Sequence, residues 1–264
     1  MTTFNPTFQS RAETGPAIRR IGSGDLSWAL AQGWRDFLDR RGDLIFVGLL
    51  YPLIGLFTAV VAGNGRLLPL FFPLVAGLSL LGPAVSAGFY ELARRRENGE
   101  ASGWSHFLDP LRDERRAGVV ALTSGLVVLF LAWLLVAWLI YQVTLAPLEP
   151  VGAGGFVSAL FGTARGWALI VFGNLAGGVL AAAALAFTIV SFPMAVDRPV
   201  DPAVAVGASI RAFRANLAPM IGWGLRVALL LVLGTIPLFI GLAVALPVLG
   251  YATWHLYTRL VDRP

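Results

Sequence analysis

Cysteine is absent from the 264 residues, and so is lysine: all 20 basic side chains are Arg, set against 15 Asp and Glu. Without thiols there are no disulfides, thiolate nucleophiles, Cys-ligated zinc sites or iron–sulfur clusters. Imidazole is scarce too, limited to His106 and His255. Nucleophilic catalysis pairs Ser, Cys or Thr with a base, and two imidazoles in unrelated parts of the chain assemble no triad. They also fall short of the converging ligands that a metal or haem needs, so neither metal nor cofactor is expected. Charge of either sign is thin, at 13% of residues against 57% apolar, and a mean hydropathy of +0.74 argues against an ordinary soluble domain. A net charge of +5 would suggest nucleic acid in a soluble chain. Here the charges sit between apolar blocks, where they meet anionic lipid headgroups or set topology, and no nucleic-acid partner is expected.

What the chain does have is long apolar sequence. Met1 to Ile21 mixes Thr, Pro, Ser, Arg and Glu without an apolar period, so residues 1–22 read as a disordered cytoplasmic tail and 23–264 as a single membrane domain. The tail has no signal-peptide pattern, since the first long apolar run begins only at Leu44. Crossing about 30 Å of hydrocarbon takes roughly 20 helical residues. Leu44–Ala62, Leu67–Tyr90, Val119–Ala146 and Trp167–Phe192 qualify. Met220–Tyr257 as one helix would run roughly 57 Å, nearly twice the membrane. A fold-back at the breakers Gly234-Thr235-Ile236-Pro237 divides it into spans near 217–233 and 237–257. The expected fold is therefore all-α, a polytopic transmembrane bundle of about six spans.

Arginine distribution supports that number independently. Arg11, Arg19, Arg20, Arg35, Arg40 and Arg41 precede the first span, and Arg94, Arg95, Arg96, Arg112, Arg115 and Arg116 lie between the second and third. Arg198, Arg211 and Arg214 follow the fourth, and Arg259 and Arg263 follow the sixth. Only Arg66 and Arg165 fall on the opposite face, and Arg226 lies within a span. Cytoplasmic flanks carry the excess of Arg, so a bacterial inner-membrane protein with both termini cytoplasmic is expected; a five-span alternative would put Arg259 and Arg263 on the opposite face and fits the asymmetry less well.

Each cytoplasmic connection has an amphipathic pattern. Asp25 to Arg41 sets Leu26, Leu30, Trp34, Phe37 and Leu38 on one stripe, with Asp25 as N-cap. Trp104 to Arg116 sets Trp104, Phe107, Leu108 and Leu111 on another. Asp201-Pro202 reads as N-cap and first helical residue, followed by Val206, Ile210, Phe213 and Leu217. Two or three interfacial helices, each before a pair of spans, suggest an internal repeat. A shift of 176 residues sets Asp25 on Asp201, Ala29 on Ala205, Arg35 on Arg211 and Phe37 on Phe213.

The chemistry-bearing residues are few. Intramembrane Asp and Glu are missing, the nearest being Glu91 at the cytoplasmic end of the second span, which disfavours proton-coupled pumping. Arg226 at mid-span is the strongest pointer, because a central Arg costs roughly 2.5–3.5 kcal/mol to insert. It reads either as an anion or headgroup site, with Asn174 as a second polar group, or as a side chain snorkelling to an interface. Arg94, Arg95 and Arg96 are candidate contacts for anionic lipid, or topology determinants alone. Gly48/Pro52, Gly173/Gly177 and Gly178/Ala182 have the small-xxx-small spacing of close helix approach. Trp28, Trp34, Trp104, Trp223 and Trp254 read as interfacial belts.

Several strings resemble a known family. They are Asp25-Leu26 with Trp34, Gly77-Leu78-Ser79-Leu80-Leu81-Gly82-Pro83, Gly88-Phe89-Tyr90-Glu91-Leu92-Ala93-Arg94-Arg95, Ser191-Phe192-Pro193-Met194 and Gly250-Tyr251-Ala252-Thr253-Trp254-His255-Leu256-Tyr257. Together, from about Asp25 onward, they resemble the bacterial integral membrane proteins called domain of unknown function 2189. The resemblance implies a membrane topology and carries over no catalytic residues. Members are sometimes labelled cytochrome oxidase subunits, and this chain lacks the several intramembrane His that a haem–copper catalytic subunit requires.

Two main readings follow. The first is a non-enzymatic accessory, assembly or lipid-interacting component of a membrane complex, with the bilayer and membrane proteins as partners. The second is a transporter or permease for an anionic or amphiphilic small molecule near Arg226 and Asn174. A lipid-active enzyme with a base at His106 or His255 is a third.

Overall fold

The computed structural model describes residues 15–39, 73–74, 82–150, 152–236 and 241–263. Among them nine α-helices and no strands form an all-α membrane bundle. In chain order they are α1 Ser23–Asp39, α2 Gly82–Glu97, α3 Arg116–Thr144, α4 Gly152–Gly162, α5 Ala164–Thr188, α6 Ser191–Asp197, α7 Pro202–Ala215, α8 Leu217–Thr235 and α9 Leu242–Leu260. Three described helical stretches are long and apolar enough to cross a membrane: α3, α5 running on into α6, and α8. The expected first span, 44–62, lies outside the described residues, as do most of the second and Gly48/Pro52. The long final stretch is two helices, with Pro237 to Ile240 between them outside the described residues. Their ends fold back closely: a Cβ on Gly241 would lie 2.8 Å from the Cα of Gly234. Helix α4 has no counterpart among the expected spans, being an 11-residue apolar helix too short to cross.

Large apolar side chains face outward. Trp167, Val171, Leu175 and Val179 on α5, and Leu217, Ile221, Leu225 and Leu229 on α8, are all at least half exposed at i, i+4 spacing. In water that stripe would be turned inward; in lipid it costs nothing to leave it outside, and small residues take the interhelical contacts instead. At the centre α2 packs on α6 and α9, while α3 leans on α5 and α8 on α9. Phe89, Tyr90, Phe192, Trp254 and Tyr257 are almost wholly buried there. Trp223 and Trp254, expected in an interfacial belt, are core residues, while Trp34 is 47% exposed. The indole N–H of Trp254 donates to Glu97, so its polar edge is satisfied inside the protein. Of the spaced glycines, Gly177 does seat a neighbour, its Cβ position lying 3.1 Å from Trp133, whereas Gly173 and Gly178 face open space.

The connecting segments differ in detail from their sequence patterns. In α1 the buried face is Leu26, Ala29, Gly33, Asp36 and Phe37, packed along α9, and not the bulkier stripe through Leu30 and Trp34. Asp25 is not the N-cap: the helix begins at Ser23, and the carboxylate reaches back to accept from the Gly22 N–H at 2.9 Å. Residues 104–111 form two 3₁₀ turns, Trp104–His106 and Asp109–Leu111, in place of an interfacial helix. Pro110 lacks an N–H to donate, which disfavours a continuous α-helix there. Asp201 caps α7 as expected, accepting from the Ala203 N–H at 2.7 Å, with Pro202 first in the helix. Its buried face is again the small one, Ala205, Ala208, Ser209 and Ala212.

Residues 15–22, assigned by composition to a disordered tail, are docked. Ile18 forms an antiparallel bridge with Val261, and Arg19 pairs with Asp262. The buried Asn216 between α7 and α8 accepts from the Ile21 N–H at 2.8 Å and donates to the Arg19 and Ala212 carbonyls. Residues 17–19 therefore lie against the C-terminal end of α9 and the residues that follow it.

The contact of α1 with α9 leaves no room at Gly33, where a Cβ would lie 2.6 Å from both the Val248 O and the Ala252 N. Gly33→Leu is expected to lower stability by roughly 1–3 kcal/mol, the usual cost of overpacking. Gly24→Ala, with open space around it, is expected to change little. Thermal unfolding in detergent checks both.

Candidate functional site

The Arg-rich side of the bundle is organised on one carboxylate. Helix α2 carries Glu91, Arg94, Arg95 and Arg96 in its last turns, and i, i+3 and i, i+4 spacing brings Arg94 and Arg95 back over Glu91. Glu91 is fully buried. Its Oε1 accepts from Arg94 Nη2 and Arg95 Nε, each at 2.8 Å. Its Oε2 accepts from Arg94 Nε at 3.0 Å and from Arg115 Nη1 at 2.6 Å. Arg115, just before α3, also donates to the Val196 carbonyl of α6 and to Asp113. One carboxylate thus ties α2, α3 and α6 together.

From this node the pairs spread outward. Arg95 reaches Asp109 at 2.9 Å, and Asp109 holds His106 Nδ1 at 2.8 Å. Arg96 bonds to Asp39 and lies 3.0 Å from Asp36, both on α1. The other Asp36 oxygen contacts His255 Nε2 of α9 at 2.7 Å. His255 packs edge-on to Trp28, whose ring face also carries Arg259 at 4.1 Å. Glu97 pairs with Arg263, and Tyr257 donates to Asp197 at 2.9 Å. Arg94, Arg95, Arg96, Arg115, Arg259 and Arg263 thus belong to one run of polar contacts among α1, α2, α6 and α9.

Burial works against the charge on Glu91, but hydrogen bonds and charge from Arg94 and Arg115 prevail and hold its carboxyl below the ordinary value. Glu97, opposed by its own burial, is held down by Arg263 and by the Trp254 N–H. Asp113 is likewise lowered by Arg115 against desolvation. Among the described residues no three of His, Asp and Glu converge as a metal-holding group.

The sequence-derived candidates separate in space. Arg94, Arg95 and Arg96 are engaged by carboxylates of the chain itself. Arg226 on α8 is half-buried and its Nη1 donates to the Gly222 carbonyl of its own helix at 3.0 Å, pointing back toward the Arg-rich side as a snorkelling side chain does. Asn174 is exposed on α5 and donates to its own helix at Ile170 O, 2.7 Å away. Nothing among the described residues joins Arg226 to Asn174. Asp36, Arg115 and Asn216, which hold the Arg-rich side together, were not singled out by sequence. Asp36 stands off the bulky stripe of α1, Arg115 precedes α3 and Asn216 lies between α7 and α8, so helical periodicity carried no signal for any of them.

Residues 71–197 match the model of domain of unknown function 2189, described as predicted integral membrane protein. The chain resembles that family. The match takes in α2 to α6, and with them Glu91, Arg115 and the Val196 carbonyl that they share. It is narrower than the resemblance read from about Asp25 onward, since Asp25-Leu26 with Trp34 and the Gly250-to-Tyr257 string lie outside it. No curated protein and no solved structure matches the chain. The domain of unknown function 2189 likeness therefore establishes an integral membrane protein and assigns it no activity.

The lowered carboxyls set a pH dependence. A depressed folded value stabilises the protein fully above the unfolded value of roughly 4 and is lost as pH falls toward the folded one. Unfolding temperature in detergent is therefore expected to be level near neutrality and to fall steeply below about pH 5. A flat profile down to pH 3 would contradict the arrangement of Glu91, Glu97 and Asp113.

Proposed function

We propose that the protein is a non-enzymatic accessory, assembly or lipid-interacting component of a membrane complex. It works in the bacterial inner membrane with both termini cytoplasmic. The observation that carries this reading is the unburied apolar surface: in the most apolar stretches of α3 and α8 only 22% and 17% of residues are buried within the chain. Such faces are surface for lipid or for the helices of other subunits. The orientation rests on the gathering of Arg at one end, which in membrane proteins is the cytoplasmic end. His106 and His255 are each held by an aspartate that also faces an Arg, which suits an ion-pair role better than that of a free base. A transport pathway at Arg226 and Asn174 finds less support, because each side chain satisfies a carbonyl of its own helix.

Gentle extraction of tagged protein into polymer nanodiscs, followed by mass spectrometry of what stays bound, tests the reading. Stoichiometric membrane subunits or retained anionic lipid are the expected result. Movement of an anionic solute into vesicles containing only this protein, lost on Arg226→Ala, would overturn it in favour of a permease.

A further inference from the structure

Not every Arg on the basic side is spent on a carboxylate. Arg112 and Arg116 are exposed and form no ion pair with a described residue, in contrast to Arg94, Arg95, Arg96 and Arg115. They adjoin, along the chain, residues that line a groove of about 700 Å³ between α2 and α3. Leu108 and Leu111, at the second 3₁₀ turn, line it together with Ala84 and Gly88 of α2 and Val120 and Val127 of α3. Arg112 directly follows Leu111. Arg116 lies one turn before Val120 on the same α3 stripe, Arg116, Val120, Ser124, Val127.

The groove is apolar in effect as well as in composition. Its two hydroxyls are turned onto their own helix, Thr123 donating to Val119 O at 2.8 Å and Ser124 to Val120 O at 2.9 Å. Its α3 wall runs from Val119 to Val128, about 14 Å of helix. That is close to half of the ~30 Å hydrocarbon core, or one leaflet. A transmembrane helix from a partner would need a groove along the full thickness. A lipid needs one leaflet of apolar wall with a cationic group at its headgroup level, and the groove with Arg112 and Arg116 offers both.

We propose that this groove seats an acyl chain of an anionic phospholipid from the Arg-side leaflet, with the phosphate held by Arg112 and Arg116. The inference rests on the lipid-interacting part of the reading above and gives it a place and a headgroup charge. The Arg cluster around Glu91 holds the groove walls in register, since Arg115 ties the start of α3 to the end of α2.

Native mass spectrometry of the delipidated protein, titrated separately with phosphatidylglycerol and phosphatidylcholine, tests it. The wild-type protein is expected to retain phosphatidylglycerol preferentially. Replacing both arginines, Arg112→Gln with Arg116→Gln, is expected to weaken that retention by about tenfold or more, at roughly fivefold for each Arg at a lipid surface. Val127→Trp, which fills the groove, is expected to lower retention of both lipids, while Val179→Trp, on the outer face of α5, is expected to leave it unchanged. Unfolding temperatures of the four proteins establish that each is folded. Equal retention of the two lipids, or phosphatidylglycerol retention that neither the Arg pair nor Val127→Trp alters, overturns the proposal. A second copy of the chain in the groove, seen as a dimer that Val127→Trp breaks, also overturns it. Membrane subunits co-purifying with the double Arg variant would show that the broader reading survives such a failure.

Discussion

A buried carboxylate shared by three guanidinium groups is the constraint on which the Arg-rich side of the molecule depends. Removing Glu91 from water costs several kcal/mol unless every lone pair is matched. Four N–H donors from Arg94, Arg95 and Arg115 supply that match. The geometry follows: α2 must end where α3 begins, and Arg115 draws in the last turn of α6 through Val196. Arg96 then fixes α1 through Asp36 and Asp39, and Glu97 fixes the C-terminal segment through Arg263. A bundle whose outer helices gain little by packing against each other in lipid is fastened at one end by polar contacts.

Packing within the bundle obeys the same environment. Helices α1 and α7 both press a small-residue face onto the protein and leave a bulkier apolar stripe at the edge. The 176-residue offset carries the last residue of α1, Asp39, onto the last of α7, Ala215. It also carries buried Ala29, Gly33 and Asp36 onto buried Ala205, Ser209 and Ala212. Each segment packs on other helices of the bundle, α1 on α9 and α7 on α5 and α6. Gly33 permits backbone contact at the first of these, and the hydroxyl oxygen of its counterpart Ser209 accepts from the Val190 N–H at the break between α5 and α6.

Helix type and the gathering of Arg were legible in the sequence because lipid demands long apolar helices and topology follows the basic residues. The Asp201-Pro202 cap was legible because capping is local. Which face of α1 turns inward was not, since hydrophobic periodicity marks the bulky stripe while membrane packing selects Ala29 and Gly33. Trp223 and Trp254 were misplaced for a related reason: an amphipathic ring fits an interface or a buried partner equally well, and Glu97 lies 157 positions from Trp254. The basic run at Arg94 to Arg96 was visible as charge. Its pairing with Glu91 follows helical spacing, but that its other partners are Asp36, Asp39 and Asp109 depends on contacts 14 to 60 residues apart in the chain, which no local pattern encodes.

The most direct test is a double-mutant cycle between Glu91 and Arg115, with Glu91→Gln, Arg115→Gln and the double variant unfolded reversibly in detergent at neutral pH. If the buried carboxylate is the fastening, each single change destabilises by about 3–5 kcal/mol, and the double change costs less than their sum by about 1–3 kcal/mol. Strict additivity, or single variants as stable as the wild-type protein, would show that the end of the bundle is held by something else.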